Sequence, residues 1–186
     1  MTKKAVVLLA DGFEDVEAVT PIDYLRRAEI EVTTASITDN LTVTSRWGGI
    51  KLIADTTLTE LVKQGIFWDA VILPGGMPCA TSLAASKETS KLLKETAAAG
   101  KLVCAICASV AIVLAPLNLL TGKNFTCFPG LEEKVTDGNW SDKSVVIDGN
   151  IITSRAAGTS GHFAIAIIEK LLNETAAKKI ADAVLL

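Results

Sequence analysis

Short apolar runs alternate with amphipathic stretches along the whole of this chain of 186 residues. Short β-rich apolar or alternating runs are typical of strands, and they occur at residues 4–10, 29–36, 68–73, 101–106 and 125–128. Helical spacing and cap residues predict helices at residues 16–28, 58–64, 86–100, 108–115, 159–172 and 174–185. Two hairpins are expected, joining residues 41–46 to 50–54 and 144–147 to 151–153. Strands that alternate with helices in this way predict a mostly parallel sheet with helices on both faces.

The first predicted helix and the third carry the clearest local signals. Apolar residues at helical spacing mark the first helix, namely Val16, Val19, Ile22, Leu25 and Ala28. Ser86 is placed to cap the helix at residues 86–100, which ends at Gly100. The turn of the first hairpin is predicted at Trp47-Gly48-Gly49.

One uncharged stretch could be mistaken for a membrane span. Residues 102–120 contain no charged side chain and are flanked by Lys101 and Lys123. A span of that length could cross a bilayer, but Pro116 and Asn118 interrupt it. We therefore interpret it as a buried strand that runs into a buried helix, and a membrane is not an expected partner.

Length and composition favour a single globular domain over residues 1–186. Hydrophobic residues make up 49% of the chain and charged residues 21%, and the formal net charge is -3. No basic face is implied, so nucleic acid is not an expected partner. The apolar run at residues 5–10 is short and is followed at once by Asp11, Glu14 and Asp15. That pattern is unlike an export signal, and we expect a cytoplasmic protein.

Four cysteines are expected to be free thiols, because a reducing compartment disfavours disulfides. Cys104 and Cys107 form a C-x-x-C pair, which is also found in redox motifs. If residues 102–106 form a strand, three steps separate the two cysteines by about 10 Å, beyond the reach of a disulfide. One histidine and scattered cysteines offer no convincing metal site, so neither metal nor cofactor is expected.

Three predicted strands end in unusual residues. The first strand is followed by Asp11-Gly12-Phe13-Glu14-Asp15, and the strand at 68–73 is followed by Pro74-Gly75-Gly76. The strand at 101–106 is followed by Cys107, with no spacer before a helix. The carboxyl ends of parallel strands share one edge of a sheet, where ligands bind. We therefore expect these three segments to meet.

Cys107 is the candidate nucleophile, because a strand-to-helix turn presents a side chain as a nucleophile elbow does. The helix dipole behind it would lower the thiol pKa and favour a thiolate. The backbone amides of Gly75, Gly76 and Ala108 are candidate donors to an oxyanion. The alternative is that Cys107 is one more small buried apolar residue.

An acid at the start of the first helix is the candidate proton donor. Burial would raise its carboxyl pKa, and a protonated Glu17 could then donate a hydrogen bond to the thiolate. Spacing alone does not distinguish Glu17 from Glu14 or Asp15. All three could equally be charges that counter the helix dipole.

Four motifs in order resemble the DJ-1/ThiJ/PfpI superfamily, particularly its parkinsonism-associated DJ-1 branch. They are KKAVVLLADGFEDVEAVTPIDYLRRA, DAVILPGG, AICAS and IITSRAAGTSGHFAIAIIE. The resemblance runs nearly from end to end. It implies a flavodoxin-like α/β fold and a homodimer.

The resemblance also implies roles for particular residues. It places the reactive cysteine at Cys107 and its partner acid at Glu17, with the amides of Gly76 and Ala108 nearby. It places Asp23 and Arg27 near a dimer interface, and it matches Arg46 to an arginine that approaches the partner subunit's site.

The resemblance implies two competing functions. One is a glyoxalase III or deglycase that acts on methylglyoxal or its adducts. The other is a non-enzymatic redox sensor or chaperone-like stress protein that acts through oxidation of Cys107. The family histidine before the proline of a short strand is here Phe128, which weakens the first. The single histidine is His162, whose role the pattern leaves open.

Overall fold

A computed structural model describes residues 2–47 and 49–186. The strands are β1 (Lys4–Leu9), β2 (Glu31–Ser36), β3 (Thr42–Thr44), β4 (Lys51–Ile53), β5 (Thr56–Thr57), β6 (Ala70–Leu73), β7 (Leu102–Ile106), β8 (Asn124–Phe125), β9 (Asn139–Trp140), β10 (Val145–Asp148) and β11 (Ile151–Ser154). The α-helices are α1 (Asp15–Arg27), α2 (Leu58–Lys63), α3 (Met77–Ala85), α4 (Lys87–Ala98), α5 (Ser160–Leu171) and α6 (Glu174–Val184).

The central feature is a seven-stranded sheet in the order β10-β11-β7-β6-β1-β2-β5. Neighbouring strands run parallel except for β10, which is antiparallel to β11. The central strands are apolar because helices surround the sheet, and every residue of β6 is buried. The predicted mostly parallel sheet is confirmed.

Both predicted hairpins are present as antiparallel pairs. β3 pairs with β4 outside the main sheet, and β10 pairs with β11 at its edge. Gly48 of the first predicted turn lies outside the described residues. Ser86 caps α4 as expected, because its side chain accepts a hydrogen bond from the N–H of Thr89 at 3.1 Å.

The buried face of α1 differs from the apolar positions that predict the helix. Ile22 and Leu25 are buried, but Val16 and Val19 are 48% and 47% exposed. Glu17 lies on the buried face instead, with 1% of its surface exposed. The helix is therefore rotated so that it directs an acid, rather than two valines, toward the core.

The helix α3 was not predicted from the sequence. It begins directly after Gly76, carries Pro78 in its first turn and buries Cys79, Ala80 and Leu83. Its residues are mostly small or hydroxylated, which weakens the periodic signal. Pro78 could have indicated the start of this helix, because proline is favoured in the first turn of a helix.

The uncharged stretch at residues 102–120 is a strand followed by a tight helical segment. After β7 the chain forms a π-helical turn over Val110–Leu114 and a 3₁₀ turn over Ala115–Leu117. The helix predicted at residues 108–115 is present and mostly buried, although it is π-helical over Val110–Leu114. Among residues 2–47 and 49–186, no helix has both the length and the apolar character that crossing a membrane requires.

The strand predicted at residues 125–128 is shorter than expected. Only Asn124 and Phe125 form β8, which pairs with β9 rather than with the main sheet. The next residue, Thr126, donates its N–H to the Thr153 hydroxyl at 3.0 Å. The chain then turns toward the carboxyl end of β7, where Phe128 lies.

Candidate active site

The three strand ends predicted to meet do lie together, because β7, β6 and β1 are neighbours in the sheet. The turn after β1 is joined to the loop after β6 by a hydrogen bond from the Glu14 N–H to the Gly75 carbonyl at 3.1 Å. The loop after β6 is joined to the turn after β7, because the Ser109 hydroxyl donates to the Pro74 carbonyl. One edge of the sheet therefore holds all three segments.

Cys107 occupies a strained turn immediately after β7. Its φ is 61°, in the left-handed region that residues other than glycine seldom adopt. Hydrogen bonds fix this backbone from two sides: its N–H donates to the Ser154 carbonyl at 2.9 Å, and its carbonyl accepts from the Phe128 N–H at 3.3 Å. Strain that neighbouring segments hold in place is typical of functional sites.

Gly75 lies in contact with both candidate reactive groups. A Cβ atom at this position would collide with Oε2 of Glu17, and would lie 2.7 Å from Cβ and 3.2 Å from Sγ of Cys107. Only glycine fits at this position without displacing them. The absence of a side chain at residue 75 therefore allows the acid and the sulfur to approach each other.

Glu17 is the acid that the structure brings to the sulfur. Its Oε2 atom accepts a hydrogen bond from the Gly75 N–H at 2.8 Å, and its side chain interacts with the Cys107 sulfur. Glu14 has a different role, because its carboxylate accepts the N–H of Glu17 at 2.8 Å and caps α1. The choice among three acids that the spacing left open is resolved by this geometry.

The pKa of Glu17 is raised from 4.5 to about 7, chiefly by burial. The interaction with Cys107 lowers this pKa, the charge of Glu14 raises it, and the hydrogen bond from Gly75 lowers it. Removing a carboxylate from water disfavours its charged form. A carboxyl with this pKa exchanges its proton close to neutral pH.

Burial also raises the pKa of the Cys107 thiol, and ionised Glu17 raises it further. The amides of Ala108 and Gly76 act in the opposite direction. The sequence predicts a lowered thiol pKa at this turn, and that prediction is wrong, because burial and the charge of Glu17 together outweigh the amides of Ala108 and Gly76. Two negative charges in one buried site are unfavourable, so a thiolate requires the proton to be on Glu17.

The candidate oxyanion donors divide into two groups. The N–H groups of Gly76 and Ala108 interact with the Cys107 sulfur. The N–H of Gly75 is bonded to Glu17 instead, so the prediction that it faces the reacting atoms is wrong. Gly75 positions the acid, and the other two amides are available to negative charge at the sulfur.

A cavity of about 580 Å³ opens onto this cluster. Its lining includes both reactive groups and a largely apolar wall, and consists of Glu14, Glu17, Arg46, Trp47, Gly76, Met77, Cys107, Ala108, Phe128, Pro129, Gly130, Leu131, Ala156 and Ala157. Cys107 is only partly buried. A small molecule in the cavity can therefore reach the sulfur.

A family model for the DJ-1/PfpI family matches residues 3–170. The chain belongs to the DJ-1/PfpI family. It is 40% identical over 184 residues to Protein DJ-1 homolog B of Arabidopsis thaliana, across 99% of this chain and 41% of that protein. The chain thus spans less than half the length of that relative.

Two further relatives of this DJ-1/PfpI chain are similar along nearly their whole length. Glutathione-independent glyoxalase DJR-1.2 of Caenorhabditis elegans is 32% identical, across 91% of this chain and 89% of that protein. The crystal structure of Drosophila melanogaster DJ-1beta superposes with a TM-score of 0.94 at 34% identity, across 100% of this chain and 99% of that one. The flavodoxin-like fold expected from the motifs is therefore confirmed.

Several residues singled out in the DJ-1/PfpI motifs lie away from the sulfur. His162 is exposed in the first turn of α5 and does not line the cavity. Asp23 and Arg27 form an exposed ion pair on α1, with 2.9 Å between Nε and Oδ2. Arg46 lies at the cavity, with its guanidinium 4.5 Å from the centre of the Trp47 ring.

Other residues of this DJ-1/PfpI site were not anticipated from the sequence. Met77 and Trp47 line the cavity, and the backbone of Ala157 lies close to the Glu17 carboxyl. Ala157 follows β11, the neighbour of β7, so it extends the same row of strand ends. The position of Ala157 just after a strand could have indicated that it lies near the site. The small side chains at residues 156–157, however, gave no chemical reason to select them.

The remaining cysteines are less suited to reaction. Cys79, Cys104 and Cys127 are all free and buried. Burial raises the pKa of the Cys79 and Cys127 thiols to about 12, and it raises that of Cys107 as well. The difference lies in access, because Cys107 lines the cavity and the other three cysteines do not. Within the described part of the chain, no group of three or more histidine, cysteine, aspartate or glutamate side chains could hold a metal ion.

Proposed function

We propose that this protein is a cofactor-independent glyoxalase or deglycase that acts on small reactive carbonyls through Cys107. The observation that carries the proposal is the convergence of the Glu17 carboxyl and the Cys107 sulfur on Gly75, at a cavity that a small molecule can enter. A nucleophile beside a proton-transfer group is the basic unit of covalent catalysis. The C. elegans relative named as a glutathione-independent glyoxalase supports the same reaction class.

The first step is attack of the Cys107 thiolate on the aldehyde carbon of methylglyoxal. The thiol proton passes to Glu17, the S–C bond forms, and the carbonyl π electrons move to oxygen. The amides of Gly76 and Ala108, which interact with the sulfur, are the donors available to that oxygen. Glu17 then returns its proton to the alkoxide, which gives a neutral hemithioacetal.

The second step moves a proton between adjacent carbons. Ionised Glu17 removes the proton from the former aldehyde carbon, and an enediolate forms. Return of that proton to the neighbouring carbon, with transfer of the hydroxyl proton from the first oxygen to the second, gives a thioester of lactate. Water then cleaves the thioester and releases lactate and the thiol, so the net reaction adds one water and needs no oxidant. A pKa of about 7 for Glu17 suits a group that both accepts and donates protons near neutrality.

The direct test is formation of lactate from methylglyoxal by the wild type and by Cys107→Ala. We expect the substitution to lower the rate at least ~100-fold, a loss typical of removing a covalent nucleophile or its proton-transfer partner. The matched control is Cys104→Ala, which removes a fully buried thiol of the same strand. Equal rates in Cys107→Ala and wild type would contradict the proposal, and so would a wild type that produces no lactate above the buffer rate.

A second candidate function is a redox sensor or chaperone-like stress protein. Two observations favour it: the family histidine is replaced by Phe128, which cannot transfer a proton, and Cys107 is the one cysteine that is not fully buried. In this role oxidation of Cys107 would change the binding of partner proteins. The two roles share the sulfur and differ in what reacts with it.

Mild peroxide is expected to add two oxygens to Cys107 before any other cysteine changes. A sulfur that faces the cavity and can pass its proton to Glu17 oxidises to sulfenic and then sulfinic acid more readily than a fully buried thiol. Peptide mass spectrometry over a peroxide series measures the order. Earlier oxidation of Cys104 or Cys127 would remove the basis for placing the reactive site at Cys107.

We propose a homodimer in the cytoplasm as the working form. Val16 and Val19 leave an apolar strip exposed on α1, and the exposed pair of Asp23 and Arg27 lies further along the same helix. Exposed apolar strips of this kind are typical of interfaces between chains. Arg46 is proposed to approach the site of the partner subunit.

A further inference from the structure

The side of the cavity that faces the Cys107 sulfur is apolar and aromatic. Phe128 is 46% exposed and Met77 is 38% exposed, and both line the cavity together with Trp47. Partly exposed large apolar side chains beside a reactive sulfur are surfaces that a ligand can cover. A larger apolar group on a substrate would cover more of this apolar surface than the methyl group of methylglyoxal can.

Phe128 is attached directly to the reactive turn. Its N–H donates to the carbonyl of Cys107 at 3.3 Å, so the backbone positions of the phenyl group and the sulfur are coupled. Pro129 follows at once and limits the backbone freedom of this segment. The backbone of Phe128 is therefore held beside the reactive turn, and Phe128 is part of the cavity wall.

The charged groups of the cavity do not offset this apolar wall. The Glu14 carboxylate is engaged as the cap of α1, and the Glu17 carboxyl is buried behind Gly75. The Arg46 guanidinium lies over the Trp47 ring rather than over the sulfur. Nothing charged comes from the segment at residues 128–131, which forms the wall beside the Cys107 turn.

We infer that Phe128 and Met77 make this site select carbonyl compounds that carry an aryl or branched alkyl group over methylglyoxal itself. The inference rests on the proposed function and specifies its substrate class. The corresponding reaction converts an aryl 2-oxoaldehyde and water into an aryl 2-hydroxy acid, by the same steps and with the same balance. The apolar group packs against Phe128 and Met77 while the aldehyde carbon meets the sulfur.

The test uses alkylation of Cys107 and needs no turnover. Iodoacetamide and iodoacetanilide share the same reacting carbon and the same leaving group, and they differ by one phenyl ring. In both, the S–C bond forms and iodide leaves. Peptide mass spectrometry follows the alkylation of Cys107 by each reagent. The measured quantity is the rate with iodoacetanilide divided by the rate with iodoacetamide. This ratio is then divided by the same ratio for N-acetylcysteine.

We expect this normalised ratio to be about tenfold in the wild type, the discrimination that one well-packed aromatic contact supplies. Phe128→Ala should bring it close to one. The matched control is Phe67→Ala, which removes a phenyl ring that is 85% exposed and lies outside this cavity. That control should leave the ratio unchanged.

A normalised ratio near one in the wild type would overturn the inference. So would a tenfold ratio that persists in folded Phe128→Ala, because the wall would then not be the cause. Met77→Ala provides a second variant of the same wall, and it should lower the ratio as well. Failure of the glyoxalase assay would leave the alkylation ratio intact, so the two proposals fail separately.

Discussion

Replacing Phe128 with histidine is expected to raise methylglyoxal turnover at least ~10-fold, a conservative part of what general acid–base catalysis supplies. Phe128 lines the cavity beside Cys107, and its backbone is bonded to the reactive turn. Imidazole exchanges protons near neutral pH, whereas a phenyl ring cannot. In the wild type, Glu17 alone must serve both proton transfers.

The substitution should preserve the fold, because the Phe128 ring is nearly half exposed and an imidazole there can meet water. The control is Phe128→Gln, which is polar but cannot exchange a proton near neutrality. A gain in Phe128→Gln equal to that in Phe128→His would attribute the effect to polarity rather than to a base. Equal turnover by wild type and Phe128→His would show that a second base is already present, and His162→Ala would then test the only other imidazole candidate.

Replacing Glu17 with glutamine is expected to remove about 3 kcal/mol of pH dependence from the free energy of unfolding between pH 4.5 and about 7. Burial raises the pKa of Glu17 in the folded protein above its unfolded value, so the folded state binds this proton more tightly. The contribution to stability is fully present below pH 4.5 and is lost as pH rises through about 7. Glutamine stays neutral throughout and can still accept the Gly75 N–H.

Urea unfolding at pH 5 and at pH 8 measures this effect in both proteins. The free energy of unfolding of the wild type should fall between pH 5 and pH 8 by more than that of Glu17→Gln does. Glu169→Gln is the control, because it changes an exposed acid on α5 that does not perturb Glu17. Parallel stability changes in wild type and Glu17→Gln would show that Glu17 is not held in a raised-pKa environment.

Much of the site could be predicted because parallel strands fix where their carboxyl ends lie. The apolar runs at β1, β6 and β7 were visible in the sequence, and the alternation of strands and helices implied that their carboxyl ends share one edge of the sheet. Cys107 could be selected because it directly follows a strand with no spacer. The family motifs then specified Glu17, which spacing alone had left equal to Glu14 and Asp15.

The rest depended on rotations and contacts that sequence patterns do not encode. The side of α1 that meets the core is set by packing, so apolar spacing misplaced Val16 and Val19 and gave no preference to Glu17. The N–H of Gly75 could serve either the acid or the sulfur, and only the loop geometry shows that it serves the acid. The raised pKa of the thiol likewise depends first on burial by neighbouring segments and then on Glu17, which together outweigh the amides of Ala108 and Gly76.

The left-handed backbone at Cys107 has a consequence for how this fold can change over time. A residue other than glycine in that conformation costs roughly 1–2 kcal/mol, a cost that glycine at the same position would avoid. Drift toward greater stability therefore favours losing the sulfur, and with it the chemistry. If selection for the reaction were relaxed, the single substitution Cys107→Gly would give a more stable protein with the same fold and no reactive sulfur.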